Sequence, residues 1–159
     1  RGVRKKVLPP AAVFTIGHPS GWDLNDFFLA LNKHKIRLVV DVRPPSEPGP
    51  QPEAMRIACS ASGVAYDRQP VLSKAYRGLV SQARGGAGEP RSPCVLLSGA
   101  VSWRLLQTRR CLARFVRGKG LQVRHLTWSG EDDEDVAAQC EKEPRREDYK
   151  YPTAPPANQ

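Results

Sequence analysis

The amino-acid sequence predicts an α/β domain: a single open, mostly parallel β-sheet of about five strands with helices on both faces. Three observations carry this. Short, nearly continuous apolar runs (AVFTI at 12–16, IRLVVDV at 36–42, CVLLSGA at 94–100) read as strands covered on both sides. Segments with helical apolar spacing alternate with them. The first strand, helix and second strand fit within about 30 residues, the size of one βαβ unit with a right-handed crossover.

Each element has a local reason. RGVRKKVLPP at 1–10 is a basic arm in which Arg1, Arg4, Lys5 and Lys6 precede two prolines that stop a helix. The first strand ends in Gly17-His18-Pro19-Ser20-Gly21, a tight loop. Asp23 stands where an N-cap belongs, and Leu24, Phe27, Phe28 and Leu31 give the following helix, to about His34, one apolar face. After the second strand, PPSEPGPQP at 44–52 has too many prolines for regular structure. A short helix at 53–61 is stopped by Gly63, and VAYD at 64–67 reads as a short strand. Residues 68–92 show no clear pattern, and RGGAGEPRSP reads as a flexible Gly/Pro segment. After the strand at 94–100, a helix at 102–117 is stopped by Gly118 and Gly120, and LQVRHLTW at 121–128 is the last strand. The organisation expected is a basic arm at 1–10, an α/β domain at 11–128 and an extended, acidic, Pro-rich tail at 129–159.

With 159 residues the chain has room for one domain with a core of its own. Its net charge is +9, and the distribution says more than the total. Residues 1–130 hold 21 Lys/Arg against 7 Asp/Glu, and residues 131–159 hold 4 against 9. A basic body with an acidic tail suits phosphate-rich partners. General solubility, or a place among acidic protein neighbours, would leave the same balance. No stretch approaches the ~18 consecutive apolar residues of a membrane span, and no signal peptide is visible. The chain opens at Arg1, as a processed product or a fragment would. The expected location is intracellular, and a removed mitochondrial presequence fits the missing Met.

Cys59, Cys94, Cys111 and Cys140 form no C-x-x-C pair and no zinc spacing with His18, His34 or His125, so reduced and mostly buried thiols are expected and no metal. No Walker loop, G-x-G-x-x-G, G-x-S-x-G or H-E-x-x-H occurs, so no cofactor is expected. GGAG at 85–88 lacks the Lys-Ser/Thr of a phosphate loop.

The candidates for chemistry lie where strands end. His18, in the loop after the first strand, suits anion contact or acid–base work, or simply a backbone hydrogen bond. Asp41 and Arg43 share one face of the second strand and can pair, either aiming Arg43 at a phosphate or shaping the Pro-rich loop. The helix at 102–117 carries Arg104, Arg109, Arg110, Arg114 and Arg117, with Lys119 beyond and no acid, while Leu105, Leu112, Phe115 and Val116 supply its core side. Solvated helix faces usually mix signs, so this one reads as a phosphate-contacting surface. Trp22, Trp103 and Trp128 flank element boundaries, where packing at the core edge is expected rather than base stacking.

Thr15-Ile16-Gly17-His18, the helix from Phe27 to Leu31, and Asp41-Val42-Arg43 followed by Pro44, Pro45 and Ser46 together resemble the opening of the family catalogued as domain of unknown function 488 (DUF488). The likeness covers about 35 residues strongly and extends loosely to about residue 128. The family pattern implies a later Cys-His-Arg at a helix start. Here Gln107 and Thr108 occupy the Cys and His positions, and only Arg109 matches. Ser98 likewise stands where a Cys is implied, while Val123-Arg124-His125-Leu126 fits the last strand. If the family's Cys and His serve catalysis or metal binding, this chain lacks them.

The function expected is a non-catalytic basic binding module in a ribonucleoprotein or other large assembly. Arg4, Lys5, Lys6, Arg43, Arg104, Arg109, Arg110, Arg114, Arg117 and Lys119 would contact RNA phosphates. The acidic tail would meet a protein or the chain's own basic face. A second reading is a small enzyme acting on a phosphorylated or anionic substrate, with His18, Asp41, Arg43, Ser46 and Arg109 converging at the carboxyl end of the sheet. A third is a protein–protein adaptor whose basic face meets acidic protein.

Overall fold

The structure of the protein, a computed structural model, describes residues 12–17, 23–44, 49–85, 92–97 and 103–141, apart from the side chains of 103–107 and 141. In chain order the elements are β1 (Ala12–Gly17), α1 (Leu24–Lys33), β2 (Ile36–Asp41), α2 (Pro52–Ala61), β3 (Ala65–Arg68), α3 (Leu72–Arg84), β4 (Ser92–Leu97), α4 (Trp103–Gly118), β5 (Gln122–Leu126) and α5 (Glu134–Glu141). The five strands form one open sheet in the order β3-β2-β4-β1-β5, and every strand pairing is parallel.

Alternation along each strand sends side chains to two separate cores. Val13, Val40 and Val95 face α3 and α4, where they pack with Tyr76, Leu79, Leu112 and Val116. Ile16, Val39 and Leu96 face α1 and α2, where they pack with Phe27, Leu31 and Met55. Both faces are covered, which is why these strands read as apolar runs rather than as alternating ones. Asp23 caps α1 as expected, its side chain accepting the Asn25 N–H at 2.9 Å. Pro52 sits in the first turn of α2, where a missing N–H costs nothing.

Two helices fall outside the sequence expectation. Helix α3 occupies most of the stretch that showed no pattern. Its buried positions Ala75, Tyr76, Leu79, Val80 and Ala83 do have helical spacing. They are partly small or hydroxylated residues, Gly78 interrupts them, and Val71 at the N-cap offers no side-chain cap, so the usual start signal is missing. Helix α5 lies inside the segment expected to be an extended tail. Val136 and Cys140 bury themselves against Ala113 of α4, and Asp133 accepts the Val136 N–H at 3.1 Å. The folded body therefore runs past residue 128 to residue 141. The last strand stops at Leu126, and Trp128 belongs to the turn that follows.

That turn wraps the exposed edge of β5. Trp128 is buried; its ring lies 4.7 Å from that of Phe27, and its Nε1–H donates to the Asp23 carbonyl at 3.0 Å. Packing rather than base stacking is thus its use. His34 Nε2 meets the Gly130 carbonyl at 2.6 Å. Lys33 pairs with Glu131, and Arg124 pairs with Asp132 at 2.9 Å. Asp132 bridges antiparallel to Leu126, and the Asp133 N–H donates to the His125 carbonyl at 2.7 Å. Backbone groups at an open strand edge invite pairing with another chain, and this return segment occupies them at the end of β5.

Gly130 is the tightest point of the turn. Its φ is +85°, and a Cβ there would meet Lys33 Cδ at 3.2 Å and Ala30 Cα at 3.3 Å. Gly130→Ala should therefore lower unfolding free energy by about 1–3 kcal/mol, measured by urea denaturation. Gly63→Ala, at a left-handed position with open space around it, should cost less.

Candidate functional site

Parallel α/β sheets place their chemistry at the carboxyl ends of the strands. Two buried polar clusters lie there, on opposite faces of the sheet. The first is built on β2 and β3. Asp41 points to the α1–α2 side, as Val39 does two residues earlier. Arg43 folds back on it. The Arg43 backbone N–H and Nε–H donate to Asp41 Oδ1 at 3.0 and 2.9 Å, and Nη2 donates to Oδ2 at 2.8 Å. The same Nη2 donates to the Pro50 carbonyl at 2.9 Å, which ties down the Pro-rich loop. Tyr66 OH donates to Asp41 Oδ2 at 2.6 Å, and Arg68 holds the Arg43 carbonyl at 3.0 Å.

Burial alone would raise the Asp41 pKa, but the Arg43 and Tyr66 hydrogen bonds and the Arg43 charge pull it below the usual carboxylate value. Burial likewise opposes the Arg43 charge, yet Asp41 outweighs it and holds the guanidinium above its ordinary pKa. At 3% exposed and spread over these partners, Arg43 shapes the loop and is not presented to a phosphate, which corrects its expected anion-binding role. Cys59 also lies near Asp41; burial first, then that negative charge, pushes its thiol up to about 11, so it is no nucleophile at neutral pH.

The second cluster lies between β1, β5 and α4. Thr15 and His125 are register partners on adjacent strands, with Thr15 Oγ1 2.6 Å from His125 Nδ1. Arg109 reaches in from the second turn of α4: Nη1 donates to Asp133 at 3.2 Å and Nη2 to the Leu126 carbonyl at 3.3 Å. Arg109 is 2% exposed and His125 3%. Arg109 stands one turn before Leu112 and two before Val116 on the inward face of α4, and Asp133 supplies its charge with a carboxylate there. At that burial it is not presented on the outer surface to an RNA backbone, which corrects that expected contact. Burial, then the charges of Arg109 and Arg117, push the His125 pKa down to about 4, against the opposing pull of Asp133.

Of the residues expected to converge in an enzyme site, Arg109 does not meet Asp41 and Arg43. Asp41, Leu96, Ile16 and Leu126 stand in one row across four strands. Three strand spacings, about 14 Å, therefore separate Asp41 from β5, and the clusters face opposite sides. His18 and Ser46 lie outside the described residues, as do Arg4, Lys5, Lys6 and Trp22. The side chains of Trp103 and Arg104 are likewise outside them.

The remaining candidates sit on the α3–α4 side. Arg114, Arg117 and Lys119 are exposed and Arg110 is half-buried. They are joined by three exposed cations of α3 that sequence reasoning missed: Lys74, Arg77 and Arg84. The two helices lie together: Tyr76 and Phe115 rings are 5.8 Å apart, and Arg84 donates to the Lys119 carbonyl at 2.7 Å. Neither helix contains an acid. The helices of the other face mix signs, with Asp26, Lys33, Glu53 and Arg56 all exposed. The missed signal was present in the sequence, since LSKAYRGLVSQAR combines helical apolar spacing with cations alone.

Among the described residues, no three His, Cys, Asp or Glu side chains converge as a metal site would require, and no helix is long and apolar enough to cross a membrane. Comparison with protein-family models, with curated proteins and with solved structures finds no match for this chain.

Removing one partner of a buried ion pair strands the other charge, so Asp41→Asn should cost about 3–5 kcal/mol in urea unfolding, and Asp41→Leu combined with Arg43→Met less than Asp41→Asn alone. The unfolded His125 imidazole, with pKa 6.5, binds a proton that the folded one refuses until about pH 4. Stability from this group is therefore fully present above pH 6.5 and lost as pH falls toward 4. In chloride buffer the loss should reach about 3 kcal/mol, and His125→Asn should flatten that part of the pH–stability curve.

Proposed function

We propose that the chain is a non-catalytic binding module whose α3–α4 face lies along the phosphate backbone of RNA, within an intracellular ribonucleoprotein. One observation carries the reading: two adjacent helices on one side of the sheet expose Lys74, Arg77, Arg84, Arg114, Arg117 and Lys119, and neither helix holds an acid. A surface of one sign over two helices is a phosphate-neutralising field rather than a solvating coat. Among the described side chains no aromatic is fully exposed, which favours recognition through the backbone. Kinship with the DUF488 family belongs to the same proposal. Two of its motif elements have structural uses here: Thr15 pairs with His125, and Asp41 with Arg43.

Binding to a mixed-sequence single-stranded RNA, followed by fluorescence anisotropy from low to physiological salt, tests the reading. The variant Lys74→Glu/Arg77→Glu/Arg114→Glu should bind about 100-fold more weakly. Its salt dependence should flatten by about two units of log Kd per log salt, since each lost phosphate contact removes about 0.7. Arg37→Glu/Arg56→Glu, on the α1–α2 side, should stay within about twofold of the parent. RNA binding absent at physiological salt, or equal in both variants, would overturn the proposal and favour an acidic protein as the partner.

A further inference from the structure

The two buried arginines differ in how well they are compensated. Arg43 has a bidentate carboxylate and a carbonyl, and its charge is held more firmly than in water. Arg109 is buried as deeply, yet its carboxylate contact is a single 3.2 Å bond from Nη1 to Asp133. Its Nε–H is buried without an acceptor. Burial outweighs the attraction of Asp133, so the guanidinium pKa falls below its usual value. Neighbouring His125 repeats the pattern: Nδ1 is engaged by Thr15, while Nε2 is buried and unpartnered. Unmet polar atoms of this kind are rare in folded proteins and costly where the group is charged. Two of them, in side chains engaged at adjacent positions of β5 (Arg109 on the Leu126 carbonyl, His125 beside it) and near enough for the Arg109 charge to act on the imidazole, mark an incomplete assembly.

We propose that Arg109 Nε–H and His125 Nε2 together bind one small oxyanion, a phosphate, sulfate or carboxylate group, at the cluster of Thr15, Arg109, His125 and Asp133 between α4 and the sheet. A neutral ligand such as water could satisfy the two atoms but would leave the under-compensated charge of Arg109 as it is. An oxyanion does both. Thr15 Oγ–H then donates to Nδ1 of His125, which leaves the imidazole proton on Nε2, facing the anion. The charged groups acting on this imidazole are Arg109 and Arg117 of α4 and Asp133 after β5. Asp133 keeps a quarter of its side chain exposed and marks the side from which solvent reaches the cluster. This site is separate from the exposed α3–α4 surface and does not depend on RNA binding.

The chain has three histidines, so imidazole NMR can follow His125 individually. Full-length protein is titrated with inorganic phosphate, and separately with sulfate and acetate, against chloride at matched ionic strength. Binding should shift the His125 ring signals in a saturable way and raise its apparent pKa by one unit or more from about 4. Arg109→Lys, which keeps the charge but lacks the Nε–H, should weaken the response at least tenfold. Lys74→Glu/Arg77→Glu should leave it unchanged. His125 signals indifferent to all three anions would overturn the proposal and leave a bound water as the occupant. A response lost in Lys74→Glu/Arg77→Glu would overturn it too, by placing the anion on the surface. If Arg109→Lys fails to fold, the parent titration and the surface variant decide the matter.

Discussion

Right-handed crossovers between parallel strands decide where each charged group of this chain is placed. The steps β1 to β2 and β2 to β3 run toward one edge of the sheet, while β3 to β4 and β4 to β5 run back toward the other. Crossovers of one hand that run in opposite directions must cover opposite faces. Helices α1 and α2 therefore share one side and α3 and α4 the other, as the two cores record. The basic residues of α3 and α4 are far apart in sequence and carry no local signal of kinship. Topology alone makes them one surface.

The same topology separates the polar residues that end the strands. Asp41 and Arg43 close over the α2 side at β2, whereas Thr15 and His125 close under α4 at β1 and β5. Each pair is buried and so must find its partners locally, since an uncompensated charge in the interior costs several kcal/mol. Arg43 reaches that state with protein groups alone, and its partners fix the Pro-rich loop. Arg109 does not reach it, and this asymmetry between two equally buried arginines is what sets the α4 cluster apart from an ordinary structural ion pair.

The acidic stretch after β5 has a use that its composition conceals. Glu131, Asp132 and Asp133 pair in turn with Lys33 of α1, Arg124 of β5 and Arg109 of α4. Three consecutive carboxylates thus clasp three elements and seal an open strand edge, and Asp133 also caps α5. Read as charge density the segment looks like tail, because a polar run carries no apolar period. Only the placement of three cations around it turns it into part of the folded body.

The sequence by itself determined the fold class, the five strands, three of whose cores are apolar runs, and the helices whose start or stop signals are local: Asp23 before α1, Gly63 after α2, Gly118 and Gly120 after α4. These depend on neighbours a few residues away and so can be read from one chain. It also paired Asp41 with Arg43, two residues apart at the end of a strand, where the chain folds the guanidinium back onto the carboxylate. Tertiary structure decided the rest. Helix α3, uncapped and built on Ala75, Tyr76 and Ala83, becomes evident once a sheet is there to bury that side. Helical phase puts Arg109 on the inward face of α4 and Arg114 on the outward one, but what compensates the buried charge is Asp133, twenty-four residues away from Arg109 in the chain. A long-range carboxylate has no local sequence signature, because its pairing is set by strand order and not by spacing.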